Sequence, residues 1–131
     1  MRRSLLLALA LFTLAACDNS SDSTGPGSSL NGTYTLTAVD NKPLPVAFAD
    51  SSLLSGRLVM TDSGWSQVSV VQYVAGGTAG GDSLKLAGFW AVSGNNLTLW
   101  DFGVNAQYTG TFSSSGITLT TKTATVLSYL K

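Results

Sequence analysis

The sequence predicts an all-β domain over residues 31–131, a small antiparallel meander of roughly eight strands closed into a barrel. Three observations point there. From Asn31 onward, apolar and polar residues alternate in runs of strand length. The runs are punctuated by Gly, Asn, Asp and Ser, the residues of tight turns. No stretch of this region reads as a long amphipathic helix. Strands joined by tight turns pair with their chain neighbours, and eight of them can close and leave no free edge.

Residues 1–16 precede this domain as a removable leader. Arg2 and Arg3 form a positive start, Leu5 to Phe12 an apolar run of eight, and Ala15 and Ala16 a small-residue cleavage region. The run is too short for a permanent transmembrane helix, which needs about 20 residues. Leu14, Ala15, Ala16 and Cys17 resemble the lipobox of bacterial lipoproteins at all four positions. That resemblance implies a diacylglycerol on the Cys17 thiol, cleavage before Cys17, and acylation of the new N-terminus by a fatty acid such as palmitate. One acyl chain gives only reversible membrane binding at about 0.8 kcal/mol per buried methylene, whereas two or three anchor firmly. A lone exported cysteine has two other uses, an intermolecular disulfide or a free thiol. The lipoprotein reading puts the protein in a bacterial cell envelope, anchored to the inner or the outer membrane, with its domain in the periplasm or at the cell surface.

Residues 17–30 then form a linker. Asp18 to Ser29, "DNSSDSTGPGSS", contains nothing apolar to bury and cannot offset the entropy of ordering. As a coil it spans roughly 20 Å, and roughly 40 Å when fully stretched.

The strands follow in order. In "GTYTLTAV", Tyr34, Leu36 and Ala38 share a face opposite three threonines. "KPLPVAFADSS", Lys42 to Ser52, breaks the alternation and predicts a crossing loop with one helical turn over a barrel end. In "LSGRLVMT", Leu54, Gly56, Leu58 and Met60 share a face, with Arg57 and Thr61 outward. "WSQVSVVQYV" changes parity between Val70 and Val71, which calls for a bulge near Val70 or burial on both faces. Leu84, Leu86, Gly88, Trp90 and Val92 align on the next strand, and "SGNN" turns the chain into Leu97 and Leu99. Tyr108, Gly110 and Phe112 follow, then Ile117 and Leu119. A final strand carries Ala124, Val126, Ser128 and Leu130 on one side, and Thr125, Leu127, Tyr129 and Lys131 on the other.

With "LNGTYTLTAVDNKPLP", "GFWAVSGNNLTL" and "YTGTFSSSGITLT" in view, residues 31–131 resemble bacterial lipocalin-like domains, small up-and-down barrels found in exported lipoproteins. Gly32 and Thr33 fit the first-strand pattern of that family, and Tyr34 stands where it carries Trp. The arginine that packs on that Trp has Lys122 or Lys131 as its counterpart here.

Composition narrows the chemistry. The chain has no His, so imidazole-based triads and His-ligated zinc are excluded, and with Cys17 lipidated no thiolate ligand is left. All seven acids are Asp, mostly at turns, and no carboxylate pair suited to glycoside hydrolysis stands out. Removing Arg2 and Arg3 from the seven basic residues leaves five against seven acids, which speaks against a nucleic-acid surface. "GGTAGGDS", Gly76 to Ser83, has Asp82 where a phosphate-binding loop needs Lys, and reads as a hairpin loop. The expectation is a non-catalytic protein with no cofactor or metal. Its candidate ligand-lining residues are Tyr34, Leu36, Leu58, Met60, Trp90, Leu99, Tyr108 and Phe112, which either line a pocket for a small apolar or amphiphilic molecule or fill the barrel. Large inward residues on short strands favour filling. Trp65 and Trp100 have unsettled parity; facing outward, they would form a contact patch for a protein or a sugar, an interaction role for the outer wall or loops.

Overall fold

The computed structural model describes residues 30–103 and 106–131. The leader, Cys17 and nearly all of the linker lie outside the described residues. Ten strands and no helix are found among those described. They are β1 (Gly32–Val39), β2 (Lys42–Pro43), β3 (Val46–Ala47), β4 (Ser51–Thr61), β5 (Gly64–Ala75), β6 (Thr78–Ser93), β7 (Asn96–Asp101), β8 (Gln107–Phe112), β9 (Gly116–Thr120) and β10 (Val126–Leu130). From β4 to β10 each strand pairs antiparallel with its chain neighbour. Closure falls to β1, which pairs with β10 on one side and β4 on the other. The result is a closed eight-stranded antiparallel barrel, with β2 and β3 added along β1 and β4.

The turns follow from local chemistry. Asp40 and Asn41 both adopt positive φ between β1 and β2, as do Gly76 and Gly77 between β5 and β6. Two such residues in succession give the backbone twist that matches a two-residue hairpin. "GGTAGGDS" is therefore a tight turn followed directly by strand. The Lys42–Ser52 segment corrects its expectation, because it holds β2 and β3 and no helical turn. Pro43 and Pro45 lack the N–H a helix would use, and the edges of β1 and β4 accept the short strands instead.

Two bulges shift the alternation. At Thr37 the pairing steps from Leu36↔Tyr129 to Ala38↔Ser128, so Val39, and not Ala38, turns inward and is buried. At Leu54 the pairing steps from Leu53↔Val71 to Ser55↔Val70. The irregularity expected near Val70 thus sits on the partner strand, and Leu54 is 40% exposed where it was expected to share the inner face of Leu58. β5 itself alternates without interruption, with Trp65, Gln67 and Ser69 inward.

Tyr34, Leu36, Leu58, Met60, Leu97, Leu99, Ile117, Leu119 and Tyr129 meet inside the barrel with almost no exposure. β6 passes its pairing from one neighbour to the other at Gly88, which faces Trp65 on β5 and Asp101 on β7. A Cβ at Gly88 would lie 1.6 Å from the Trp100 carbonyl oxygen, so only glycine permits this approach. Beyond Gly88 the β5–β6 hairpin runs on past β7 as an arm, where Leu84, on the inward face, is still 56% exposed. Asn31 donates to the Asp62 carboxylate and ties the chain's entry into the barrel to the β4–β5 turn.

Candidate functional site

The expected ligand-lining residues all project to the inner side. Tyr34, Leu36, Leu58, Met60 and Leu99 are buried in one cluster, and Trp90, Tyr108 and Phe112 are half-buried against it. The cross-strand register explains this: Tyr34 faces Leu58, Trp90 faces Leu99, and Leu99 faces Tyr108. Aromatic groups take up much of the volume. Trp65 meets Tyr108 edge-on at 5.8 Å between centroids, and its indole N–H lies 3.1 Å from the Phe89 carbonyl and 3.2 Å from that of Trp100. The Trp90 N–H donates to the Thr61 carbonyl at 2.9 Å. The Lys131 ammonium stands 5.6 Å from the centre of the Tyr34 ring, so of the two lysines it is Lys131 that packs there.

The interior also holds a polar chain that hydropathy did not reveal. The Tyr129 hydroxyl donates to Gln67 Oε1 at 3.0 Å, and Gln67 Nε2 donates to Ser69 Oγ at 2.9 Å. All three residues are buried. Burial pushes the Tyr129 hydroxyl's pKa well above the usual phenol range, with the neighbouring Tyr108 adding to the effect. Tyr108 is itself raised, by burial and then by the nearby Asp101 carboxylate. These phenols stay neutral donors at physiological pH, which suits packing and hydrogen bonding more than acid–base work.

The outer wall is different. Trp100 faces outward from β7, while Trp65 faces inward. Phe89 on β6 is the cross-strand partner of Trp100, and their rings stack at 4.9 Å with only 15° between planes. Phe102 joins at 5.8 Å from Phe89. This cluster is solvent-facing: Phe89 is 47% exposed and Phe102 72%. Beside it lies an open groove of about 420 Å³ lined by Trp100, Gln107, Thr109, Thr120, Thr121 and Lys122.

No family model matches the chain, nor does any curated protein or solved structure. The chemistry of the surface therefore carries the functional reading. Sequence reasoning missed Phe89 and Phe102. The signal for Phe89 was present, since it alternates with the inward Gly88 and Trp90.

Two further open concavities flank the projecting arm. One of about 480 Å³ runs from Phe48 to Val74, and one of about 330 Å³ lies between Leu54, Val70 and Gly80. Tyr73 covers Gly80 there, its ring filling the space a Cβ would take. The second offers mainly aliphatic and backbone surface, whereas the first sets Phe48 and Tyr73 beside Asp50, Ser51, Ser52 and Gln72. The Trp100 groove differs from the Phe48–Val74 concavity in its charge: its lining adds the Lys122 ammonium to neutral hydrogen-bonding side chains, where the other has the Asp50 carboxylate.

Proposed function

We propose that this protein is a lipid-anchored, non-catalytic component of a bacterial cell envelope that acts as an interaction module through the outer wall of its barrel. The observation that carries this reading is the contrast between the two faces of one sheet. Inside, Leu58, Leu97, Leu99 and their neighbours pack against one another; outside, Phe89, Trp100 and Phe102 form a continuous aromatic cluster exposed to solvent. Apolar area left in water costs roughly 25 cal/mol per Å², so such a cluster is expected where a partner covers it. The lipobox-like Leu14–Cys17 segment and the polar linker support a tethered position, within reach of other envelope components.

Two measurements test this. Cys17→Ser should move processed protein from the membrane to the soluble fraction, and persistence on the membrane with unprocessed precursor excluded would sink the anchor. A photo-reactive residue at Phe102 should give discrete adducts in intact cells. The same group at Thr33, on the strand opposite β7 across the ring, should give none. Equal labelling at both positions, or an apolar molecule retained inside the barrel in native mass spectrometry of the full chain, would overturn the outer-wall reading.

A further inference from the structure

We infer that the Trp100 groove binds a glycan chain; the inference rests on the outer-wall reading and names its ligand class. The 4.9 Å between the Phe89 and Trp100 rings matches the spacing of adjacent strands, about 4.7–4.9 Å. Both rings therefore stand on edge on the sheet, side by side. Phe89 covers one face of the indole, and the other face looks across β8 toward β9, forming one wall of the groove. Gln107, the cross-strand partner of Trp100, and Thr109 make the floor. Thr120, the partner of Thr109, and Lys122 make the far side.

The polar groups in this groove are available. Among the described residues, the side chains of Gln107, Thr109, Thr120 and Lys122 make no hydrogen bond, whereas the Thr121 hydroxyl is engaged by Thr123 and by the Thr125 amide. The groove thus presents one flat aromatic face, a primary amide, two free hydroxyls and one ammonium. A pyranose ring has the matching form, with an apolar C–H face and a rim of hydroxyls that both donate and accept. Other ligand classes fit less well. A lipid chain would find no aliphatic lining. A nucleic acid would meet a single cation. A peptide strand adds to a sheet edge, and this groove lies on a sheet face. The volume of about 420 Å³ falls within the range of small-molecule sites, about 300–1,000 Å³.

The test is titration of the purified full chain in mild detergent, followed by calorimetry, with three soluble probes: cellohexaose, chitohexaose and hexagalacturonate. At least one should bind. Trp100→Ala should weaken it by about tenfold or more, as truncation of a central aromatic anchor does. Because Trp100→Ala also removes the stack on Phe89, Gln107→Ala and Thr109→Ala serve as exposed substitutions that leave the core untouched. Each should weaken binding by about three- to tenfold with an unchanged melting temperature. No binding of any probe overturns the inference, as does binding that none of the three substitutions weakens. If the probes fail while position 102 still yields discrete protein adducts, the glycan is refuted and the outer-wall reading stands. If both fail, both are refuted.

Discussion

Tyr129→Phe removes one oxygen from the barrel interior, and its consequence can be worked from the polar chain it terminates. In the parent the Tyr129 hydroxyl donates to Gln67 Oε1, and Gln67 Nε2 donates to Ser69 Oγ. The substitution leaves the aromatic volume intact but strands the Gln67 carbonyl in a buried site. An unsatisfied buried acceptor costs about 1–3 kcal/mol. In a domain of this size each kcal/mol moves Tm by about 4–8 °C, so a fall of about 4–24 °C is expected. Adding Gln67→Leu and Ser69→Ala converts the whole chain to apolar groups of similar shape and should recover most of that loss. Thermal unfolding of the parent, the single and the triple variants, followed by near-ultraviolet circular dichroism, measures all of this. A single variant within about 2 °C of the parent would refute the reasoning, since it would put the cost below about 0.5 kcal/mol. So would a triple variant no more stable than the single one.

The same phenols set an alkaline limit, and Gly88 sets a steric one. Tyr34, Tyr108 and Tyr129 have folded-state pKa values raised above the ordinary 10.0, so the unfolded chain loses these protons first as pH rises. Their contribution is complete below pH 10 and declines above it; the fall of Tm between about pH 10 and 12 should be shallower in Tyr129→Phe, and parallel curves would contradict the assignment. Gly88→Ala forces a methyl group onto the Trp100 carbonyl and must part β6 from β7, at a cost of about 3 kcal/mol or more. Gly94→Ala meets nothing within 4 Å but sits at φ 61° and should cost only about 1–2 kcal/mol. Chemical denaturation of the two variants checks the order, and equal costs would show that the β6–β7 approach is not rigid.

Alternation made the barrel legible because, outside β5 and the bulges on β1 and β4, its strands keep a period of two that hydropathy can see. β5 escaped because its inward residues include Gln67 and Ser69, whose partner Tyr129 is 62 positions away from Gln67 in sequence. A buried polar pair satisfied at that distance leaves no local mark. The bulges at Thr37 and Leu54 were also silent, since an extra residue in a ladder needs no special side chain. On the outer wall more could have been read. The two-residue Gly94–Asn95 turn pairs Ser93 with Asn96, and counting back along both strands places Phe89 against Trp100. Parity alone was too short a signal on β7, a strand of six residues. Lys122 is different, because it follows β9 and its place at the groove depends on how the chain leaves that strand.

Ring closure through β1 bears on how the barrel is made. The hairpins from β4 to β10 join neighbours in sequence and can form as each second strand becomes available, but the Tyr129↔Leu36 pairing spans almost the whole domain. During synthesis β1 emerges first among the barrel strands and gains β4 early, yet its other edge waits for the last residues of β10. For that interval Thr35 to Val39 is an unpaired strand edge beside exposed apolar side chains, the state in which a chain is most open to pairing with the wrong partner. The barrel's last-formed seam is thus also its point of greatest kinetic exposure, and it lies on the strand nearest the linker.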